Sequence, residues 1–124
     1  MPITWRILAE ERLVSARADG PVTLQEIFNY LDAVIVGDAQ SYAKLFDAGS
    51  MVLALSDDEM MALGARMSAY SGAFAEAGPL AIVASTLVAE GFAKRFLNVS
   101  SVRRPAKLFR TVDQAKAWLS TLTK

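Results

Sequence analysis

Residues 80–84, Leu-Ala-Ile-Val-Ala, form an apolar run that no polar residue interrupts. Such a run predicts a strand in the middle of a parallel sheet, because a strand covered on both faces needs no polar alternation. Gly78-Pro79 breaks the chain before the run. After Ser85-Thr86, large apolar residues recur at spacings of four, four and three, which predicts a helix: Val88, Phe92, Phe96 and Val99. The stretch therefore predicts one strand–helix unit of an α/β protein.

The same unit recurs on both sides of this stretch. Residues 106–110 predict a strand, and Thr111-Val-Asp-Gln114 after it is a capping box, which satisfies the first free amides of a helix. Residues 42–47 predict another strand, and Ser56-Asp-Asp-Glu59 is a second capping box. Residues 51–55, which lie between, are apolar throughout and too short to assign. The two helices would bury the following residues: Met60, Leu63, Met67, Tyr70 and Phe74, then Val112, Ala115, Trp118, Leu119 and Leu122.

The start of the chain predicts a β-hairpin and a helix. Apolar residues alternate with polar ones in two runs separated by Glu10-Glu11, namely Ile3, Trp5 and Ile7, then Val14, Ala16 and Ala18. After Gly20-Pro21, a third capping box begins at Thr23 and ends at Glu26. It opens a helix that stops near Gly37 and has this apolar face: Leu24, Ile27, Phe28, Leu31 and Ile35.

These segments predict the order β-β-α-β-α-β-α-β-α in a single domain over residues 1–124. Right-handed crossovers predict a mainly parallel five-stranded sheet whose N-terminal hairpin supplies an antiparallel edge. If successive strands are neighbours, the helices lie mostly on one face and leave the other comparatively bare. We expect such a bare face to bind something or to dimerise.

The residue types that the chain lacks exclude several kinds of chemistry. With no His and no Cys, it has no disulfide, no Cys or His zinc site and no Ser-His or Cys-His nucleophile pair. The longest apolar run, residues 77–84, is too short to span a membrane, and residues 1–6 lack a signal-peptide pattern, which predicts a cytoplasmic protein. The strand-end residues Asp47, Ser85 and Thr111 include one carboxylate, so we expect no enzyme, no metal and no cofactor.

Charge is balanced overall, with 13 basic and 13 acidic residues, but it is uneven along the chain. Residues 1–89 have five basic and eleven acidic side chains, a net charge of −6, whereas residues 90–124 have eight and two, a net charge of +6. The candidates for an anion-binding patch are Lys94, Arg95, Arg103 and Arg104. The alternative is that they are solvated charges at a helix end. No phosphate loop and no nucleic-acid recognition helix accompanies them, so we expect no nucleic-acid partner.

Two stretches carry a resemblance to a known fold. One stretch is similar to the last strand and helix of small, stand-alone bacterial STAS-like proteins of unknown function; it is residues 108–119, Leu-Phe-Arg-Thr-Val-Asp-Gln-Ala-Lys-Ala-Trp-Leu. The other is similar to the third helix of the same proteins; it is residues 90–96, Glu-Gly-Phe-Ala-Lys-Arg-Phe. The whole order of elements resembles the STAS fold of anti-sigma-factor antagonists and sulfate-transporter tails. The resemblance implies a regulatory binding module. The fold is also distantly similar to CRAL-TRIO lipid-transfer domains, which implies an apolar ligand as the alternative.

The resemblance also implies where a phosphosite would lie. Antagonist-type STAS domains carry a phosphorylatable serine just after the third strand, and residues 47–51 here read Asp-Ala-Gly-Ser-Met. Ser50 and Ser56 are the candidates. Ser56 is also explained as a helix cap, and Ser50 as a polar turn residue.

A group of apolar residues is a candidate for a ligand pocket or an interface: Met51, Leu53, Leu55, Met60 and Met67. Unbranched Met adapts to varied ligands. The alternative is that these residues pack the core or a dimer contact. The sequence thus predicts a STAS-like module that acts by non-covalent protein–protein interaction, as a homodimer or with a cytoplasmic protein partner. A small apolar-ligand carrier or sensor, for a lipid or acyl chain, is the alternative.

Overall fold

The computed structural model describes residues 3–49, 51–53, 55–73, 78–99 and 105–122. Its strands are β1 (Ile3–Leu8), β2 (Leu13–Ala18), β3 (Gly20–Val22), β4 (Ala43–Asp47), β5 (Met51–Leu53), β6 (Leu80–Val83) and β7 (Ala106–Phe109). Its helices are α1 (Leu24–Val36), α2 (Asp57–Ala73), α3 (Leu87–Val99) and α4 (Val112–Leu122).

The main sheet has five strands in the order β1-β2-β4-β6-β7, and this confirms the predicted topology. β1 and β2 form the antiparallel hairpin, in which Trp5 lies opposite Ala16. The remaining neighbours, β2-β4, β4-β6 and β6-β7, are parallel. All four residues of β6 are buried, as the uninterrupted apolar run predicts.

A second, two-stranded parallel sheet pairs β3 with β5. It aligns Gly20 with Met51 and Val22 with Leu53, and Gly20 has the left-handed φ of +67° that favours glycine. The sequence analysis left residues 51–55 unassigned and treated Gly20-Pro21 only as a break. Three-residue strands are too short for a periodic signal, and the pairing joins segments about 30 residues apart.

Apolar side chains form two layers on the two faces of the main sheet. Most of the helices, α1, α2 and α3, pack on one face, as predicted, and their buried residues belong to one large cluster with β1, β2 and β6. The other face holds α4, whose buried residues Ala115 and Leu119 pack on β4 and β6 residues Ala43, Leu45, Ala81 and Val83. The part of this face that belongs to β1 and β2 carries exposed Thr4, Arg6 and Arg17.

Some predicted helix faces are rotated from those observed. In α3 the buried residues are Ala89, Ala93 and Phe96, whereas Val88 is 60% exposed. The prediction followed the largest apolar side chains, but small alanines allow a helix to approach a sheet closely and therefore face it. In α4, Leu122 is 43% exposed because it lies in the last turn, beyond the second apolar layer. Phe74 lies outside the described residues.

Candidate functional site

The carboxyl edge of the main sheet carries a tight turn between β4 and β5. Oδ1 of Asp47 accepts a hydrogen bond from the Gly49 amide at 3.0 Å, and the Met51 amide donates to the Ala48 carbonyl at 3.0 Å. The hydroxyl of Ser85, which follows β6, donates to the Gly49 carbonyl at 3.3 Å. This bond joins the β4–β5 turn to the loop that begins α3.

Three large apolar side chains are exposed at this edge. Leu87 and Val88, in the first turn of α3, are 85% and 60% exposed, and Val52 of β5 is 54% exposed. β5 lies against α3, and the Ser85–Gly49 bond joins the segments that lead into both. We call Val52, Leu87 and Val88 the edge patch. Large exposed apolar side chains on neighbouring elements are candidates for an interaction site.

Acidic residues lie on one side of the edge patch. The first turn of α2, four residues after β5, contains Asp57, Asp58 and Glu59. Asp57 accepts a hydrogen bond from the Arg95 guanidinium of α3 at 2.9 Å, so this turn lies beside α3. Three acids and one arginine leave this flank negative.

Basic residues lie on the other side. Glu90 of α3 pairs with Lys94 at 2.9 Å and with Arg110, which follows β7, at 4.0 Å. The Lys94 ammonium, by its hydrogen bond and its charge, lowers the pKa of Glu90 below the ordinary value of 4.5; burial opposes this effect and Arg110 adds to it. Glu90 and Arg95 point about 140° apart around the helix axis, at roughly 100° per residue. The patch therefore lies between an acidic and a basic flank.

The candidate phosphosites, Ser50 and Ser56, follow β4 in the chain, and the strand-end hydroxyl of Thr111 follows β7; both strands end at this edge. Ser50 lies outside the described residues. Ser56 caps α2: its hydroxyl accepts from the Glu59 amide and its amide donates to the Glu59 carboxylate, both at 3.1 Å. Thr111 caps α4 by accepting from the Gln114 amide at 3.2 Å.

The candidate pocket residues whose side chains are described lie in the interior. Met51, Met60, Met67 and Leu55 are at most 9% exposed and belong to the large apolar cluster beneath α1, α2 and α3. The side chain of Leu53 is outside the described part. This burial agrees with the packing alternative of the sequence analysis, because each of these side chains is surrounded by the core itself.

The candidate anion patch is divided. Lys94 and Arg95 form ion pairs on different sides of α3, with Glu90 and Asp57 respectively. Arg103 and Arg104 lie outside the described residues. Among the residues that are described, no group of three acidic side chains is placed to hold a metal ion, and no helix is long and apolar enough to cross a membrane.

Sequence reasoning missed the edge patch. It assigned Val88 to the buried face of α3, and it gave no role to Leu87 or Val52. One signal was present: Leu87 and Val88 follow Thr86, whose hydroxyl accepts from the Ala89 amide at 3.1 Å and therefore caps the helix. Residues directly after a cap lie at the end of a helix, where the core covers less of the surface.

Two solved structures are similar to this chain over almost its whole length. One is an anti-sigma factor antagonist from Mycobacterium paratuberculosis, with a TM-score of 0.59, 16% identity, and coverage of 95% of this chain and 94% of that one. The other is an uncharacterised protein of the DUF3478 family with a SpoIIAA-like fold from Shewanella loihica, with a TM-score of 0.58, 19% identity, and coverage of 94% and 91%. No protein-family profile matches the chain, and no curated protein matches its sequence.

The chain is therefore an α/β protein with the SpoIIAA-like, or STAS-like, fold. This confirms the fold that the resemblance implied. At these identities the likeness establishes the fold, and function has to be argued from the site.

Proposed function

We propose that the protein is a regulatory protein-interaction module that binds a protein partner non-covalently through the edge patch. The supporting observation is the exposure of Leu87 and Val88 at the start of α3, together with that of Val52 on β5, a strand that contacts α3. Burying large apolar side chains is the main favourable contribution to most protein–protein association. One of the two similar structures is an anti-sigma factor antagonist, which agrees with a regulatory role.

Hydrogen bonds hold the backbone of the same edge in place. The Ser85–Gly49 hydrogen bond and the Asp47–Gly49 hydrogen bond hold the turn and the loop in a fixed relation. Ala48 and Met51, within and at the end of the turn, are buried in the large apolar cluster and fix its position. A patch on a fixed scaffold loses little conformational entropy when a partner binds.

Site-specific photo-crosslinking in the native host tests this proposal. A photoreactive phenylalanine analogue at position 87 is expected to give a discrete protein adduct. The same analogue at position 36 is the control, because Val36 is also exposed, at 87%, but lies at the end of α1 outside the edge patch. Adducts of equal yield at both positions, or none at position 87, would overturn the proposed function.

A further inference from the structure

We infer that the partner seated on the edge patch is a second copy of this chain, in a two-fold symmetric pair. The inference rests on the proposed function of the edge patch as a protein-binding surface. It is carried by the charges on either side of that patch, which differ in sign. The α2 flank is acidic and the Arg110 flank is basic.

A surface with this arrangement is complementary to itself. In a two-fold pair, any contact between two different residues occurs twice, because each copy supplies both of the residues once. If the edge patches of two copies face each other about a two-fold axis perpendicular to the line that joins the two flanks, the acidic flank of each lies opposite the basic flank of the other. An apolar centre with oppositely charged sides therefore fits a second copy without any like charges meeting.

The side chains that would make these contacts are exposed. Asp58 lies on the solvent side of the first turn of α2, and the side chain of Arg110 is 82% exposed. Arg110 is 4.0 Å from Glu90, at the outer limit of an ion pair, so this contact is weak. Opposite charges at the rim of an interface mainly set specificity and association rate, while apolar burial supplies the affinity.

Charge reversal with mixing tests the pair. Asp58→Lys alone places a lysine opposite Arg110 in both contacts of the pair, and Arg110→Glu alone places a glutamate opposite Asp58. We expect each variant alone to self-associate roughly tenfold or more weakly than the wild type, in sedimentation equilibrium at low salt, since a tenfold loss corresponds to about 1.4 kcal/mol. An equimolar mixture of the two variants is expected to regain association as a mixed pair. In one contact of that pair the two introduced charges attract each other, and in the other contact the original Arg110 and Asp58 attract each other.

Two further readouts make the test decisive. Leu87→Gln is expected to weaken self-association, whereas Val36→Gln, which changes an equally exposed residue outside the edge patch, is expected to leave it unchanged. Thermal melting of each variant checks that the fold is kept. A wild-type chain that stays monomeric throughout the concentration series, or a mixture no better associated than the single variants, would overturn the inference.

The crosslinking experiment separates this inference from the proposed function. An adduct at position 87 with twice the mass of the chain supports both. An adduct with a different protein retains the proposed function and overturns the second-copy inference. No adduct at position 87 overturns the proposed function and, with it, the second-copy inference that rests on it.

Discussion

Among the glycines whose surroundings the structure describes, Gly78 leaves the least room for a side chain. Its amide donates to the Gln40 carbonyl at 2.9 Å, and a Cβ at this position would overlap the Tyr42 carbonyl oxygen. The close approach brings the Lys44 amide to the Pro79 carbonyl, at 2.8 Å, where the β4–β6 pairing begins. No side chain fits there unless the backbone of one segment moves.

We expect Gly78→Ala to lower the free energy of unfolding by roughly 1–3 kcal/mol, the usual cost of overpacking. Gly91→Ala is the matched control, because a Cβ at Gly91 meets nothing within 4 Å and the residue lies inside α3. Alanine there is expected to raise the free energy of unfolding by up to about 1 kcal/mol. Urea denaturation measures both changes, and equal effects would contradict the close approach at Gly78.

Glu90 gives the protein a predictable response to acid. Its pKa is lower in the folded protein than the ordinary value of 4.5, mainly through the Lys94 hydrogen bond and charge. A lowered pKa stabilises the folded state above the unfolded pKa, and this stabilisation is lost as the pH falls through the folded pKa. Urea denaturation at neutral pH and on the acid side of 4.5 measures this loss, and Glu90→Gln is expected to reduce it. An identical acid response in the wild type and the variant would contradict the Glu90–Lys94 assignment.

At the scale of single elements, the capping boxes located the helix starts correctly. The Thr23 and Ser56 boxes both form, with the reciprocal hydrogen bonds that the pattern implies. Capping is local: it requires residues three apart and no tertiary contact. The buried face of a helix, by contrast, depends on the surface that it meets. For this reason the starts of α1 and α2 were predicted well, whereas the buried face of α3 was not.

The Ser56 cap predicts how this residue responds to substitution. Ser56→Ala is expected to lower the free energy of unfolding by about 1 kcal/mol, because it leaves the Glu59 amide without its side-chain acceptor. Ser56→Asp is the matched control and is expected to retain most of the stability, since Asp caps about as well as Ser. Urea denaturation of the wild type and the two variants measures these changes in the free energy of unfolding. A Ser56→Ala chain as stable as the wild type would show that the hydroxyl is not required as a cap.

At the scale of the whole molecule, the two tryptophans report on the two faces of the sheet. Trp5 packs beside Tyr30 of α1, at 5.7 Å between ring centroids, and Trp118 of α4 packs beside Phe109 at 5.5 Å. The chain has two Trp, so Trp5→Phe and Trp118→Phe each leave one reporter. Both apolar layers share the strands β4 and β6.

We therefore expect the chain to unfold as one domain. In each single-Trp variant, the urea midpoint from fluorescence is expected to coincide with the midpoint from far-ultraviolet circular dichroism. A Trp118 signal that changes at lower urea than the circular dichroism would show that α4 and its apolar layer unfold separately.

The sequence alone determined the order of the helices and of the five main-sheet strands, the central strand and the helix starts. These features depend on periodicity and on residues within one turn of each other, and both are present in the chain itself. Only the tertiary structure decided the β3–β5 pairing, the burial of the Met residues and the edge patch. Each depends on which surfaces the folded chain covers. Val52, Leu87 and Arg110 are far apart in sequence, but they follow β4, β6 and β7, whose carboxyl ends the parallel crossovers bring to one edge of the sheet.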